Sequence, residues 1–168
     1  MTDGVAADHH EPTGAPAVVR LHRALLARRE TVAAAESLTA GLFCATLASV
    51  PGASATLRGG VVVYATDLKT ALAGVPGELL AGHGPVSPQT AAALAEGVRD
   101  RCSATWGVGL TGVAGPEPVD GHGPGRVYLG ISDGRHTDVA ELDLGGDRAE
   151  VRSGAVAAAV QALLARLA

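Results

Sequence analysis

Aromatic side chains are nearly missing from this sequence: one Trp, two Tyr and one Phe, or 2% of 168 residues. A core without rings must be assembled from Ala, Val and Leu. Each of these buries little area, so many must be buried together. The length suits one ordinary domain and leaves no room for two full cores. Cysteine is scarce as well. Cys44 and Cys102 stand far apart with no metal-like spacing and read as small buried hydrophobes in a reducing compartment. The 13 Lys and Arg are scattered among 17 Asp and Glu, for a net charge of −4. With no basic face and no stacking aromatics, a nucleic-acid partner is not expected. Nor is a membrane, because no apolar run reaches the roughly 18 residues of a spanning helix. The opening MTDGVAADHHEP is acidic, unlike a secretory signal, so the expected location is the cytoplasm. His9 and His10 read as solvated tail residues, and the scattered histidines suggest no metal and no metal cofactor.

What is present is an alternation of helical and extended patterns. Residues 1–16 have no apolar period and read as a disordered tail, followed by one domain over 17–168. Val18, Leu21, Leu25 and Leu26 have helical spacing in a segment ending at Arg29. Thr31 to Ala35 reads as a buried strand that stops at Glu36-Ser37, and Leu38 to Ser49 as the helix after it. Val61-Val62-Val63-Tyr64 is a β-branched run suited to a central strand. Thr66 or Asp67 is a possible cap for a helix to about Ala73, and a short helix follows from Pro76. Ser87-Pro88 opens a helix to about Cys102, with a capping hydroxyl and a proline at the first helical position. Ala104 to Leu110 is a further buried strand, and residues 117–125 form a loop. Two strands flank Asp133-Gly134, a hairpin signal, and a final helix runs from Asp147 to Leu167. The expected fold is a three-layer α/β/α sandwich with a mixed, mostly parallel sheet.

In open α/β sheets, ligands bind beyond the carboxyl ends of the strands. Three segments fall there. Glu36-Ser37-Leu38-Thr39-Ala40-Gly41 is a strand-to-helix turn with two hydroxyls. Its N–H groups around Leu38 to Ala40 would face an anion or a developing oxyanion. Ser37 reads either as a helix cap or as a nucleophile. In the second segment, Lys69 follows the strand end at Tyr64 by five residues. It is either a solvated helix charge or a desolvated base able to take a serine proton, with Tyr64 orienting it or shuttling its proton. The third, Thr111-Gly112-Val113-Ala114-Gly115-Pro116, brings backbone N–H groups close to a phosphate or is simply a tight connection. It matches neither a Walker A sequence nor a dinucleotide fingerprint.

Together these segments resemble the CinA C-terminal domain family, stand-alone members of which include nicotinamide-nucleotide amidases. The resemblance runs from Val18 to Ala168. It rests on Ala35-Glu36-Ser37-x-Thr39-x-Gly41, Val50-Pro51-Gly52-Ala53-Ser54, Gly59-Gly60-Val61-Val62-Val63-Tyr64 with Lys69, Leu72-x-Gly74-Val75-Pro76, His83-Gly84-x-Val86-Ser87, Thr111-Gly112-x-Ala114-Gly115-Pro116 and Gly125-x-Val127-Tyr128. It implies deamidation of nicotinamide mononucleotide without a cofactor, by a stand-alone domain forming a homodimer. Ser37 would be the nucleophile, with Lys69 and Tyr64 as its catalytic partners. Substrate contacts are expected from Glu36, Leu38, Thr39, Ala40 and Gly41 and from Thr111, Gly112, Ala114 and Gly115. The chain departs from the family where Leu38 replaces a small thiol, Ala40 replaces glycine, and Glu117 and His122 stand in a loop that is usually richer in glycine. Those departures leave a non-catalytic nucleotide-binding or protein-interaction module as the alternative.

Overall fold

The computed structural model describes residues 15–168, so the expected tail, with His9 and His10, lies almost wholly outside the described residues. Helix α1 spans Ala17–Arg28, followed by strand β1 (Val32–Glu36), helix α2 (Leu42–Ala48) and strand β2 (Leu57–Val62). Helices α3 (Thr66–Ala73), α4 (Gly77–His83) and α5 (Pro88–Cys102) lead to β3 (Trp106–Gly112), the hairpin β4 (Arg126–Ser132) and β5 (Thr137–Asp143), and finally α6 (Arg148–Arg166). One sheet has the order β2-β1-β3-β4-β5. β1 is parallel to β2 and β3, whereas β4 is antiparallel to both β3 and β5. Four strands therefore run one way and β4 alone runs back, giving the expected mixed α/β sheet.

Side-chain alternation divides the core into two layers. Val32 and Ala34 of β1 join Val108, Leu110, Leu129 and Ile131 against α1, α2 and α6. Ala33 and Ala35 face the other side with Val63, Leu94 and Val98. The second layer depends on glycine as much as on apolar bulk. A Cβ on Gly109 or Gly130 would overlap the Ala91 carbonyl oxygen, and one on Gly107 would overlap that of Ala95. Helix α5 thus lays its backbone directly on β3 and β4, so this side of the core closes by backbone approach and not by aromatic bulk.

Several boundaries differ from expectation, each for a local reason. β2 is an edge strand whose residues alternate in exposure, not a central one; a β-branched run does not reveal which of its sides is covered. Helix α3 is N-capped at Ala65 without a side-chain bond, and Thr66 and Asp67 are its first helical residues. Asp67 supports the helix through its charge near the positive end of the dipole. Helix α5 begins as expected, with Ser87 Oγ accepting the Thr90 N–H and Pro88 next to it. Helix α6 begins with an Asp147–Glu150 capping box. Cys44 and Cys102 are half-buried free thiols, and no helix among the described residues is long and apolar enough to cross a membrane.

Gly109→Ala tests the glycine seat. The new methyl meets helix backbone that cannot rotate away, so the variant should lose about 1–3 kcal/mol, read from the midpoint of urea unfolding.

Candidate active site

The turn after β1 is organised by a carboxylate. Glu36 is 1% exposed; its Oε2 accepts the N–H groups of Gly41 and Phe43 at 3.0 Å each, and its Oε1 accepts that of Cys44 at 2.9 Å. The side chain expected to contact substrate instead caps α2 from the end of the strand. Helix α2 therefore starts at Leu42 rather than Leu38, and residues 37–41 form a turn closed by Ala40 N–H to Ser37 carbonyl and Leu42 N–H to Thr39 carbonyl bonds. Two consequences follow. The N-terminus of α2 is occupied by Glu36 and is not available to an oxyanion. Ser37 makes no capping bond, against the helix-cap reading of this residue.

That hydroxyl meets Lys69. Lys69 Nζ donates to Ser37 Oγ at 3.2 Å and to the Val63 carbonyl at 2.8 Å. The lysine is 2% exposed and has no carboxylate partner among the described residues. Burial lowers its pKa from the ordinary 10.5, because two neutral acceptors without a carboxylate do not make up for the hydration an ammonium loses. In the neutral amine the contact reverses, and Ser37 O–H donates to the nitrogen lone pair.

Tyr64 does not hydrogen-bond this lysine; the Val63 carbonyl orients it instead. The Tyr64 ring is exposed, and its hydroxyl accepts a bond from Arg148 Nη2 at 2.6 Å. Arg148 Nη1 also donates to the Gly115 carbonyl at 2.8 Å, tying α6 to the turn after β3. Sequence reasoning missed Arg148. Its signal was a cation at the first helical position, where the helix dipole disfavours positive charge.

Ser37, Leu38, Tyr64, Lys69, Thr111, Gly112, Ala114 and Gly115 line one cleft of about 330 Å³, joined by Arg148, Thr66 and Glu117. Glu36, Thr39, Ala40 and Gly41 do not line it and support its floor. Thr111 is buried, its Oγ1 donating to the Pro85 carbonyl at 2.6 Å, so it holds the cleft wall through its side chain. The Oγ1 of Thr39 is buried without a partner among the described residues. No group of three or more His, Cys, Asp or Glu is gathered among the described residues as a metal ligand set. A buried amine on a serine hydroxyl, inside a cleft with a second cation, can perform nucleophilic acyl transfer.

Ala40 has φ +47° and is followed by Gly41 at +94°. The left-handed region strains a residue bearing a Cβ. Ala40→Gly should therefore raise stability by about 1 kcal/mol after the entropic cost of glycine is offset, measurable as a higher thermal midpoint.

The family model of the CinA C-terminal domain matches residues 15–167. A CinA-like protein of Frankia casuarinae is 46% identical over 136 residues, covering 81% of this chain and 31% of the relative. One from Acidobacterium capsulatum is 46% identical over 141 residues, covering 83% and 34%. The chain thus spans about a third of the length of these curated relatives. Among solved structures, a competence-damaged protein (CinA) superfamily member from Klebsiella pneumoniae superposes with a TM-score of 0.88 at 29% identity, covering 90% of this chain and 95% of that one. A competence/damage inducible protein from Agrobacterium tumefaciens gives 0.82 at 31%, covering 92% and 98%. By sequence and by fold, this chain belongs to the CinA C-terminal domain family.

Proposed function

We propose that this domain hydrolyses the carboxamide of nicotinamide mononucleotide, giving nicotinic acid mononucleotide and ammonia through an ester on Ser37. The observation that carries the reading is the Lys69 amine, buried without a carboxylate and 3.2 Å from Ser37 Oγ. An unpaired buried lysine is costly, and such groups concentrate where a neutral amine is used.

Neutral Lys69 takes the Ser37 proton while Oγ attacks the carboxamide carbon, pushing the carbonyl electrons onto oxygen. The resulting Lys69 ammonium returns that proton to the nitrogen as the C–N bond breaks and ammonia leaves. Water then attacks the ester with Lys69 again as base, and the acid departs as Ser37 regains its proton. Arg148 supplies positive charge in the cleft for the substrate phosphate. Glu117 lies in the same lining and sets that charge against a carboxylate. Tyr64 contributes by holding Arg148.

Ser37→Ala should abolish ammonia release while costing well under about 1 kcal/mol of stability, because Ser37 caps nothing. Lys69→Arg keeps a charge but cannot lose it, and should lower kcat by at least about 100-fold. A near-normal rate in that variant would remove Lys69 as the base.

The pH profile has a definite sign. Because burial lowers the lysine's folded pKa, the rate should rise with pH through that lowered value and level off above it. Stability should also rise with pH from there towards 10.5, since the unfolded chain binds a proton in that window that the folded chain releases. A rate that falls with pH across the window would contradict a neutral amine.

A further inference from the structure

With the start of α2 occupied by Glu36, a substrate oxygen turned into an anion at Ser37 needs a hydrogen-bond donor from another element. The end of β3 offers one. In this strand the backbone groups alternate between the two neighbours. Trp106 N–H donates to the Thr31 carbonyl at 2.8 Å, and the Leu110 carbonyl accepts the Ser37 N–H at 2.9 Å, so the even-numbered residues address β1. Val113 N–H donates to the Arg126 carbonyl at 2.8 Å, so the odd-numbered ones address β4. Gly112 is the next even residue, directly beyond the carbonyl that holds Ser37.

We propose that the Gly112 N–H receives the substrate carbonyl oxygen as Ser37 attacks, which makes Gly112 a catalytic residue through its backbone alone. This rests on acyl transfer at Ser37.

In a continued parallel ladder the Gly112 N–H would go to the Ser37 carbonyl. The chain has turned away by then. The Ser37 carbonyl accepts the Ala40 N–H instead. The next two carbonyls, of Leu38 and Thr39, accept Arg152 Nε at 2.9 Å and Nη2 at 3.0 Å. Gly112 is thus left with an N–H that has no acceptor among the described residues. This donor is reachable, because Gly112 is half-buried and lines the cleft beside Ser37, Leu38 and Lys69. Neighbouring strands lie about 4.8 Å apart, so the place β1 vacates after Glu36 suits one acceptor atom from a ligand. Ser37 follows Ala33 and Ala35 in the strand alternation, and its hydroxyl meets Lys69 of α3. Base and donor therefore approach Ser37 from two sides, one from α3 and one from the adjacent strand. The donor is also set in advance, because α5 backbone is seated on β3 at Gly107 and Gly109. A fixed dipole of this kind stabilises developing charge without reorganising.

A side-chain variant does not isolate this N–H, because a Cβ at Gly112 would overlap the Arg126 carbonyl oxygen. The amide itself is replaced: the full chain is translated in vitro with glycolic acid in place of Gly112, giving an ester with no N–H. Glycolic acid in place of Gly109 is the control, because that N–H addresses β4. One readout is ammonia release from nicotinamide mononucleotide, normalised to folded protein by circular dichroism. The other is the rate of labelling by a fluorophosphonate, in which Ser37 Oγ displaces fluoride and the phosphoryl oxygen stands where the substrate carbonyl oxygen would. The Gly112 ester should lower kcat and the labelling rate by about 100- to 1000-fold, the effect of losing one oxyanion donor. KM should stay within about twofold and the pH midpoint should not move, because the Ser37–Lys69 contact is untouched. The Gly109 ester should lower the unfolding midpoint but keep both rates. In wild-type protein carrying isotopically labelled glycine, phosphonylation of Ser37 should move the Gly112 amide proton downfield and slow its exchange with solvent.

A folded Gly112 ester that labels at the wild-type rate overturns the proposal. So does a loss carried by KM, a displaced pH midpoint, or an equal loss in the Gly109 ester. Should the Gly112 ester fail to fold, the wild-type amide proton decides, and an unshifted resonance overturns the proposal. If the wild-type chain is neither labelled nor active, the Ser–Lys reading falls and takes this one with it. If it is labelled but leaves nicotinamide mononucleotide intact, only the substrate assignment falls, and the labelling rates and the amide resonance still judge Gly112.

Discussion

Glu36 ends β1 with a carboxylate that has left water and accepted three backbone N–H groups in exchange. An uncompensated charge in that position would cost several kcal/mol (about 3–5 when a buried partner is removed). The amides of the turn and α2 compensate it with charge-assisted bonds and the positive end of the helix. The direction of the chain between strand and helix is thereby fixed, and Ser37 is presented at the bend with its hydroxyl on Lys69. Burial and the nearby Glu36 carboxylate also push the Cys44 thiol up to about 12. That keeps it protonated and a poor nucleophile.

The chain announces those parts of the fold whose chemistry is local. Ser87-Pro88, the Asp147–Glu150 box and Asp133-Gly134 each bring their own capping or turn residues, and α5, α6 and the hairpin lie where those residues put them. The buried β1 follows from the Val32–Ala35 run for the same reason. The start of α2 was not legible, because its cap lies on the far side of the turn, five residues before Gly41. The edge position of β2 depends on which neighbours arrive later in the chain. Likewise, the Ser37–Lys69 contact was legible as two residues at strand ends, whereas Tyr64 with Arg148 joins positions 84 apart and Arg152 joins positions 114 and 113 apart. No local pattern carries such a pairing.

The near-absence of aromatic rings shapes the layers unequally. The face under α1, α2 and α6 is filled by branched side chains and Phe43. The face under α5 relies on Gly107, Gly109 and Gly130 to bring helix backbone onto the sheet. Close approach replaces bulk there, so β3 is held on a short, stiff spacing. The cleft wall that continues from its carboxyl end, through Thr111 and Gly112, inherits that rigidity.

Helix α6 is the last of the described elements to be made, yet it reaches back to the first turn of the site through Arg152 and to the β2 and β3 loops through Arg148. On the ribosome, β1, β2, α3 and β3 can meet before α6 emerges, and the serine and lysine can already be neighbours in such an intermediate. Its turn still lacks the guanidinium contacts on Leu38 and Thr39, and its cleft lacks the Arg148 tie to Gly115 and Tyr64. A nascent chain can thus hold Ser37 beside Lys69 in an unfinished cleft, and the order of synthesis postpones its completion until α6 has docked.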